Sequence, residues 1–294
     1  MKKQVLHFMI LASLGCSWSA FAGDTLGKIK KSQTLLIGVR ETAPFSFTDQ
    51  NKQAQGYSID ICHRIGDAIK KELKLPALKI QYVPVDSATR FSALLEDKID
   101  LECGSTTNNA ERRKKFGFTI PHFFSSVRAL VKADSGIKTW VHLRNRTVVT
   151  TKSTTTVKLL DDRANTISLN IKLLEGDSDL ASFTLVEQGK ADAFPMDDVL
   201  LYSLKAESKN PAAYAIVGEP LSIEPYSIMF RKDDPDFKRL VDAEMIRLIN
   251  EGEIYKMYDR WFTKPIPPKN VNLNMPMGYL LRDSLRFPSD KVGD

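Results

Sequence analysis

The sequence predicts an α/β protein built from two units of similar size. Segments typical of strands alternate with segments typical of helices along residues 34–261, a pattern that indicates helices packed on mainly parallel sheets. The apolar run TLLIGV at residues 34–39 has the composition of a strand buried on both faces. The chain has 294 residues, which suffices for two domains of about 100–150 residues each.

The first cycle of elements lies between residues 34 and 103. Ser58 is a candidate helix cap, because it precedes apolar residues that recur with helical spacing. The predicted elements are, in order, strand 34–39, a helix from Ser58, strand 78–85, helix 87–97 and strand 99–103.

The second cycle repeats this alternation and is followed by a different C-terminal part. Its predicted elements are strand 147–151, a helix from residue 154, strand 171–174, helix 178–188 and strand 191–196. A strand over 226–230 and a long helical region over 235–261 come next. The tail from Thr263 is rich in proline, so we expect an extended strap over the surface.

The first 22 residues have the features of a secretory signal peptide. Two lysines precede an apolar run at residues 5–14, and Ala20-Phe21-Ala22 offers the small residues that favour cleavage after Ala22. No later run approaches the roughly 18 apolar residues of a transmembrane helix, so we expect no stable membrane insertion. Outside the cytoplasm Cys62 and Cys103 could pair, and the sequence leaves this open.

The charge of the chain gives little support to a nucleic-acid partner. The formal net charge is +6, and it falls to about +4 without the two lysines of the leader. One short basic cluster, residues 112–115, is a weak footprint for nucleic acid, and most of it is expected to be solvated surface.

Polar residues collect immediately after the predicted strands. Ligands of open α/β sheets sit beyond the carboxyl ends of the strands, so these residues are candidates for one cleft. They are Arg40, Ser87, Arg90, Ser105, Thr107, Arg112, Thr154, Thr155, Asp197 and Asp198. Ser87, Thr154 and Ser178 have an ordinary alternative role as helix caps.

The sequence does not favour catalysis or metal binding. Gly104-Ser105-Thr106 lacks the G-x-S-x-G pattern of a nucleophile elbow, and His63, His122 and His142 have no obvious partner. The cysteines and histidines lack the usual spacing of metal ligands. We therefore expect a binding protein that is not an enzyme and carries neither metal nor cofactor.

Four motifs carry a resemblance to a known family. ECGSTTNNAERRKKFGFT (102–119), GYSIDIC (56–62), RKDDPDFKRLVD (231–242) and YDRWFTKPIPPKN (258–270) resemble the periplasmic solute-binding proteins of polar amino acid ABC transporters, family 3. Within that family the chain is most similar to glutamate/aspartate-binding proteins.

The resemblance implies the type II periplasmic binding protein fold. Two lobes, each a mainly parallel sheet flanked by helices, would be joined by two crossover strands and close over a ligand. Lobe 1 would comprise residues 23–125 and 223–294, and lobe 2 residues 126–222. The resemblance further implies a periplasmic monomer that binds an acidic amino acid and delivers it to inner-membrane permease subunits.

The resemblance also assigns roles in binding the amino acid's backbone groups. Arg112 would clamp the α-carboxylate, assisted by Thr107 and Thr155, because a planar guanidinium matches a carboxylate with two hydrogen bonds. Thr155 would add an amide at a helix N-terminus, which attracts anions. Ser105 and Asp197 would meet the α-ammonium group.

The ligand side chain would face Arg40, Ser87 and Arg90, and two departures from the family pattern affect this region. Ser153 stands where related binders have the glycine of SGTT, and Asp179 stands where they have a histidine that holds the side-chain carboxylate. The three arginines, Asp179 and Asp197 together carry a formal charge of +1, which still fits a monoanionic ligand.

Asp179 also supports an alternative function. Some proteins that resemble this family are secreted dehydratases of the cyclohexadienyl type, in which a carboxyl group in the cleft acts as general acid. Asp179 could take that role if burial raised its pKa towards the working pH.

Overall fold

The computed structural model describes residues 23–267 and 269–292. The predicted signal peptide and its cleavage site lie outside these residues. The helices are α1 Thr25–Ser32, α2 Tyr57–Glu72, α3 Arg90–Leu95, α4 Ala110–Arg113, α5 Thr155–Thr166, α6 Asp179–Glu187, α7 Asp198–Glu207, α8 Pro235–Asn250, α9 Glu253–Phe262 and α10 Tyr279–Arg286. Two short 3-10 helices span Trp140–Leu143 and Pro211–Ala213.

The strands belong to two five-stranded sheets and two smaller pairs. They are β1 Thr34–Val39, β2 Phe47–Thr48, β3 Ala54–Gln55, β4 Lys79–Pro84, β5 Leu101–Glu102, β6 Phe116–Phe118, β7 Phe123–Ser125, β8 Val127–Lys132, β9 Thr147–Thr151, β10 Lys172–Gly176, β11 Ala193–Asp197, β12 Tyr214–Val217, β13 Glu224–Tyr226 and β14 Met229–Arg231. The α/β class is confirmed.

Each large sheet contains one reversed strand. The first sheet has the order β4-β1-β5-β14-β6, and the second has the order β10-β9-β11-β8-β12. Within the described chain, four strands of each sheet point in the same direction. The fifth strand, β14 in the first sheet and β8 in the second, is antiparallel to both of its neighbours. In both sheets the reversed strand is the first one after the chain crosses between sheets.

The chain crosses between the two sheets on β7 and returns on β13. These strands pair antiparallel, with Phe123 opposite Tyr226 and Ser125 opposite Glu224. We call the first sheet with its helices lobe 1 and the second sheet with its helices lobe 2. The lobe boundaries at residues 125/126 and 222/223 stay a prediction.

An aromatic cluster packs against the crossover strands. The ring of Phe45 lies 5.0 Å from that of Phe123 and 5.1 Å from that of Tyr226, measured between centroids, and Phe262 stacks on Phe123 at 5.0 Å. Aromatic pairs at such distances contribute about 0.5–1.5 kcal/mol beyond the burial of their surface. The cluster therefore anchors both crossover strands to lobe 1.

Cys62 and Cys103 form a disulfide, which the sequence left open. Their Cα atoms are 6.4 Å apart, and the bond joins α2 to the residue that follows β5. Cys103 immediately precedes Gly104 and Ser105, so the disulfide holds the start of the motif at residues 102–119 against a helix.

Several predicted element boundaries differ from the structure. Helix α2 begins at Tyr57 with Gly56 as its N-cap, and Ser58 instead donates a hydrogen bond from its hydroxyl to the Gly104 carbonyl, 2.7 Å away. The helix predicted over 87–97 is shorter, and Thr89 rather than Ser87 occupies its N-cap position, without a side-chain capping hydrogen bond. Of the four proposed caps, Thr154 is the N-cap residue of α5 but makes no side-chain capping hydrogen bond, and Ser178 accepts a hydrogen bond from the Ala181 amide as expected.

The C-terminal part contains more breaks than its composition suggested. The strand predicted over 226–230 is divided between β13 and β14, and the long helical region is divided into α8 and α9. Gly252, with φ +72°, separates these two helices, because a left-handed residue cannot continue an α-helix.

The proline-rich tail touches both lobes and includes a helix. Lys269 donates a side-chain hydrogen bond to the Glu207 carbonyl at the end of α7, in lobe 2. The tail then returns to lobe 1, where α10 buries Leu281 and Leu285 and the Asn108 side chain donates to the Asp290 carbonyl at 3.3 Å. The expected strap is thus partly helical. No helix of the described residues is long and apolar enough to cross a membrane.

Candidate functional site

The predicted site residues follow the carboxyl ends of strands from both sheets. In lobe 1, Arg40 comes directly after β1, and Ser105 lies three residues after the end of β5. In lobe 2, Asp179 follows β10 and Asp197 is the last residue of β11. The strand ends of the two sheets therefore supply the two sides of one cleft.

Arg40 and its neighbours form the deepest part of the lobe 1 side. Arg40 is only 4% exposed, and its Nη1 donates to the Ser105 Oγ at 3.4 Å. Ser87 is equally buried in the turn after β4. Glu102 is fully buried close to Gly104, since a Cβ added at Gly104 would meet Glu102 Oε1 at 2.5 Å and the Arg40 side chain at 2.9 Å.

Two further arginines flank the ring of Phe91. The guanidinium carbon of Arg90 lies 4.7 Å from the ring centroid and that of Arg112 lies 5.2 Å from it, within the range of cation–π attraction. Burial lowers the pKa of Arg90 and of Arg112. Both remain cations, because arginine keeps its proton in proteins.

Arg112 is held in place by the loop that precedes it. Asn109 caps α4 by accepting a hydrogen bond from the Arg112 amide at 2.9 Å, and Arg112 Nη1 donates to the Thr107 carbonyl at 2.9 Å. Lys114 and Lys115 are exposed, as the sequence predicts for this basic cluster, whereas Arg113 is half-buried and donates to Asn108 Oδ1 at 3.1 Å.

Glu224 links the two lobes, and the sequence analysis did not identify it as a site residue. This buried residue of β13 accepts hydrogen bonds at the same oxygen, Oε2, from the hydroxyl of Thr107 at 2.7 Å and from that of Thr155 at 3.0 Å. Thr107 belongs to lobe 1 and Thr155 opens helix α5 of lobe 2. No sequence motif marks Glu224, whereas Glu102 stands at a strand's carboxyl end and could have been found by that rule.

A second contact across the cleft runs from Arg90 to Ser153. Arg90 Nη2 lies 3.5 Å from the Ser153 carbonyl oxygen. Ser153 has φ +58°, in the left-handed region that favours glycine. The serine therefore adopts the backbone conformation that a glycine would take more easily.

Two aspartates line the lobe 2 side. Asp179, 6% exposed, accepts a hydrogen bond at Oδ1 from the Thr151 hydroxyl at 2.6 Å. Asp197, 3% exposed, accepts a hydrogen bond from the Tyr226 hydroxyl. Burial, and then the neighbouring charge of Glu224, raise the pKa of Asp197 well above its usual value.

Five buried polar atoms of this region have no hydrogen-bond partner within the described chain. They are Arg90 Nε, both carboxylate oxygens of Glu102, Thr106 Oγ1 and Asp197 Oδ1. Leaving one such group unsatisfied costs about 1–3 kcal/mol, so folded proteins keep few of them. The unpaired atoms of Arg90, Glu102 and Asp197 are therefore open to hydrogen bonds with a polar ligand.

The charge of the cleft differs from the value expected from sequence. The predicted sum of +1 counted two aspartates, but Glu102 and Glu224 are also buried here. Among the described residues of the cleft, three arginines (Arg40, Arg90 and Arg112) therefore face four carboxylates, and the formal excess is one negative charge.

The predicted residues fall into a group at the mouth of the cleft and a group below it. A groove of ≈ 720 Å³ is lined by Thr107, Arg112 and Thr155, together with Glu224 and apolar side chains such as Phe91. Arg40, Ser87, Arg90, Ser105, Asp179 and Asp197 are not on the wall of this groove and are each at least nine-tenths buried. The lobes are closed over this inner group.

The one serine–histidine pair found near the cleft in the described residues has the wrong polarity for a nucleophile. Contrary to the sequence expectation, His122 has a partner, Ser58, whose Oγ is 3.0 Å from His122 Nε2. The Ser58 hydroxyl already donates to the Gly104 carbonyl, so His122 must donate to it rather than accept its proton. Burial lowers the pKa of His122 to about 3. No group of three or more potential metal ligands occurs in residues 23–267 and 269–292.

Comparison with known families gives a match over most of the chain. The sequence profile described as "Bacterial extracellular solute-binding proteins, family 3" matches residues 35–264. The matched region includes every candidate site residue and, except for Thr34, all strands of both sheets.

The chain is similar to two named amino acid-binding proteins. The chain is 39% identical over 272 residues to the glutamate/aspartate import solute-binding protein of Escherichia coli (strain K12), covering 92% of this chain and 90% of that protein. It is 40% identical over 273 residues to the L-glutamate/L-aspartate-binding protein of Pseudomonas aeruginosa, with the same coverage of 92% and 90%.

A solved structure shows the same fold. It is an ancestral amino acid-binding protein described as a precursor of cyclohexadienyl dehydratase, and it matches with a TM-score of 0.68 and 28% sequence identity. The match covers 81% of this chain and all (100%) of that one. The fold is therefore that of the type II periplasmic binding proteins.

Proposed function

This chain belongs to family 3 of the bacterial extracellular solute-binding proteins, and we propose that it captures an acidic amino acid, glutamate or aspartate, for an ABC transporter. The ligand would bind in the cleft between the lobes and be delivered to inner-membrane permease subunits. We also propose that the protein acts in the periplasm as a monomer and that the lobes divide at residues 125/126 and 222/223.

The observation that carries the proposal is a guanidinium group and a helix N-terminus beside a buried aspartate. Arg112 and Thr155, the first residue of the 12-residue helix α5, line the same groove, so a guanidinium and a helix N-terminus can bind one carboxylate. Thr107 pairs with Tyr226, and the Tyr226 hydroxyl bonds to Asp197. Asp197 therefore lies near this carboxylate site.

Asp197 is suited to an α-ammonium group. Its Oδ1 is buried without a partner among the described residues, and burial has raised its pKa. A ligand cation beside it would favour the ionised carboxylate and lower that pKa again. Ser105 would supply a second acceptor, and Arg40, Ser87 and Arg90 would face the ligand side chain.

Closure of the lobes would be the signal to the permease. Thr155 to Glu224 and Arg90 to Ser153 are contacts that cross the cleft, so they belong to the closed form. A ligand shifts the protein towards that form only to the extent that it binds the closed state more tightly.

The dehydratase alternative is not proposed. The relatives of 39–40% identity are named as solute-binding proteins of amino acids, not as enzymes. Asp179, the residue that would serve as general acid, is engaged as a hydrogen-bond acceptor of Thr151.

A thermal-shift panel tests the proposal. Glutamate, aspartate, glutamine, asparagine, lysine and arginine are added separately, because a ligand that binds only the folded state raises the melting temperature. We expect glutamate and aspartate to raise it in a concentration-dependent way. A response confined to the basic amino acids, or no response to any of the six, would refute the proposed function.

A further inference from the structure

The inner end of the proposed site combines a cation from lobe 1 with a carboxylate from lobe 2. Arg90 reaches the carbonyl of Ser153, which lies two residues after Thr151, and the Thr151 hydroxyl donates to Asp179. Arg90 and Asp179 thus contact the same short segment, residues 151–153. Burial lowers the pKa of Arg90, and the negative charge of Asp179 acts in the opposite direction.

Asp179 retains capacity to accept a further hydrogen bond. Thr151 Oγ1 lies 2.6 Å from Asp179 Oδ1 and 3.3 Å from Ser182 Oγ. Within residues 23–267 and 269–292 no hydrogen bond reaches the second oxygen, Oδ2. An ionised carboxylate has about four acceptor positions on its two oxygens, so a ligand N–H can be accommodated.

A ligand carboxamide can form hydrogen bonds with both Arg90 and Asp179, whereas a ligand carboxylate can do so only with Arg90. Its oxygen can accept from Arg90 while its NH₂ group donates to Asp179, and both partners are then satisfied. A ligand carboxylate can accept from Arg90 but would meet the negative charge of Asp179 in a buried place.

We infer that the site binds the carboxamide amino acids, glutamine and asparagine, as well as glutamate and aspartate, and that Asp179 is the residue that widens this range. The inference rests on the proposed function, because it concerns the side-chain end of the same ligand. Arg40 and Arg90 would favour the acids, and Asp179 offsets that preference.

Isothermal titration calorimetry with glutamate, aspartate, glutamine and asparagine tests the inference on the wild-type protein. We expect glutamine to bind within about tenfold of glutamate, since specificity is a difference between two affinities and the two groups oppose each other. A wild-type preference for glutamate of more than tenfold would overturn the inference, and this outcome needs no variant.

Asp179→Asn is the matching variant, because it removes the charge and keeps the shape. We expect the ratio of glutamate to glutamine affinity to rise by about tenfold or more, since repulsion of the ligand carboxylate is lost. Asp177→Asn is the control, because Asp177 is exposed two residues away and pairs with Lys152 at 2.7 Å. It should leave the ratio unchanged.

The outcomes separate this inference from the proposed function. An unchanged ratio in Asp179→Asn, with acidic ligands still bound, overturns the role of Asp179 and leaves the proposed function intact. Failure of the folded wild type to bind any of the four amino acids overturns the proposed function itself.

Discussion

The two lobes share one architecture but contribute opposite charges to the cleft. All three arginines of the cleft, Arg40, Arg90 and Arg112, follow strands of lobe 1. Lobe 2 contributes Asp179, Asp197 and the N-terminus of α5. Because both sheets have four strands in one direction and one reversed, the difference arises from the residues after the strands and not from the fold.

This difference suits a zwitterionic ligand that must be held from both sides. In the proposed binding mode, the guanidinium groups of lobe 1 would bind the carboxylates of the ligand, and a carboxylate of lobe 2 would meet its ammonium group. Glu224, on a crossover strand, contacts a hydroxyl from each lobe. Neither lobe alone has the full set of groups, so the comparison predicts that binding requires both.

The lobes also differ in covalent bracing. The Cys62–Cys103 disulfide lies within lobe 1 and closes a loop with a sequence separation of 41 residues, whereas the part of the chain described for lobe 2 contains no cysteine. Trp261 lies in lobe 1 and Trp140 in lobe 2, so each lobe of a chain beginning at Gly23 has its own fluorescent reporter.

The largest expected effect comes from removing that disulfide. In Cys62→Ala/Cys103→Ala we expect the free energy of unfolding of lobe 1 to fall by about 4 kcal/mol, because a loop of this length is no longer closed in the unfolded chain. Guanidinium unfolding of Trp140→Phe and Trp261→Phe variants follows each lobe separately. Equal losses in both reporters would show that the lobes unfold as one unit.

The next largest effect is on ligand affinity, and it should differ between two arginines of lobe 1. Arg112→Ala should weaken binding of every candidate amino acid by on the order of 100-fold, about 3 kcal/mol, because it leaves a buried α-carboxylate unpaired. Arg90→Ala should instead mainly erode the preference for acidic side chains. Calorimetry measures both.

The exposed Lys114 provides the control for this pair. Lys114→Ala removes a positive charge two residues from Arg112 and should leave binding unchanged. Normal glutamate affinity in Arg112→Ala would show that the proposed orientation of the ligand is wrong.

The smallest expected effect is on stability, through the left-handed backbone conformation of Ser153 in lobe 2. Ser153→Gly should raise the free energy of unfolding by about 0.5–1 kcal/mol, because relief of the left-handed conformation slightly exceeds the entropy that glycine adds to the unfolded chain. The carbonyl that accepts from Arg90 is kept. Urea unfolding followed by Trp140 fluorescence measures the change.

The neighbouring residue is the control for that substitution. Thr154 has φ −102°, so Thr154→Gly relieves no strain and should lower stability instead. Stabilisation by both substitutions, or by neither, would contradict the assigned role of the Ser153 backbone.

Much of the fold follows from local sequence patterns. Strand β1 matches its prediction residue for residue, because its apolar run is buried on both faces, and β9 does so as well. The predicted helix boundaries were less accurate where a hydroxyl side chain could either cap the helix or bond to a distant part of the chain. Ser58 has the right chemistry for a cap, but its hydroxyl bonds to Gly104, which is distant in sequence.

The candidate site was only partly predictable for the same physical reason. Residues at strand ends, such as Arg40 and Asp197, could be found by position, and their roles in binding stay predictions. Glu224 lies within a strand, and its two hydroxyl partners come from residues 117 and 69 positions away. Contacts of such range form only in the folded tertiary structure, so no local sequence pattern predicts them.

The C-terminal tail has a practical consequence for making an optical sensor from this protein. Its helix α10 packs near crossover strand β7, so a fluorophore attached to this helix would sit close to the pivot of the lobes. Displacement grows with distance from a pivot, and the signal there would be small. The exposed turn at Gly136 in lobe 2, with open space around it, is the better attachment point.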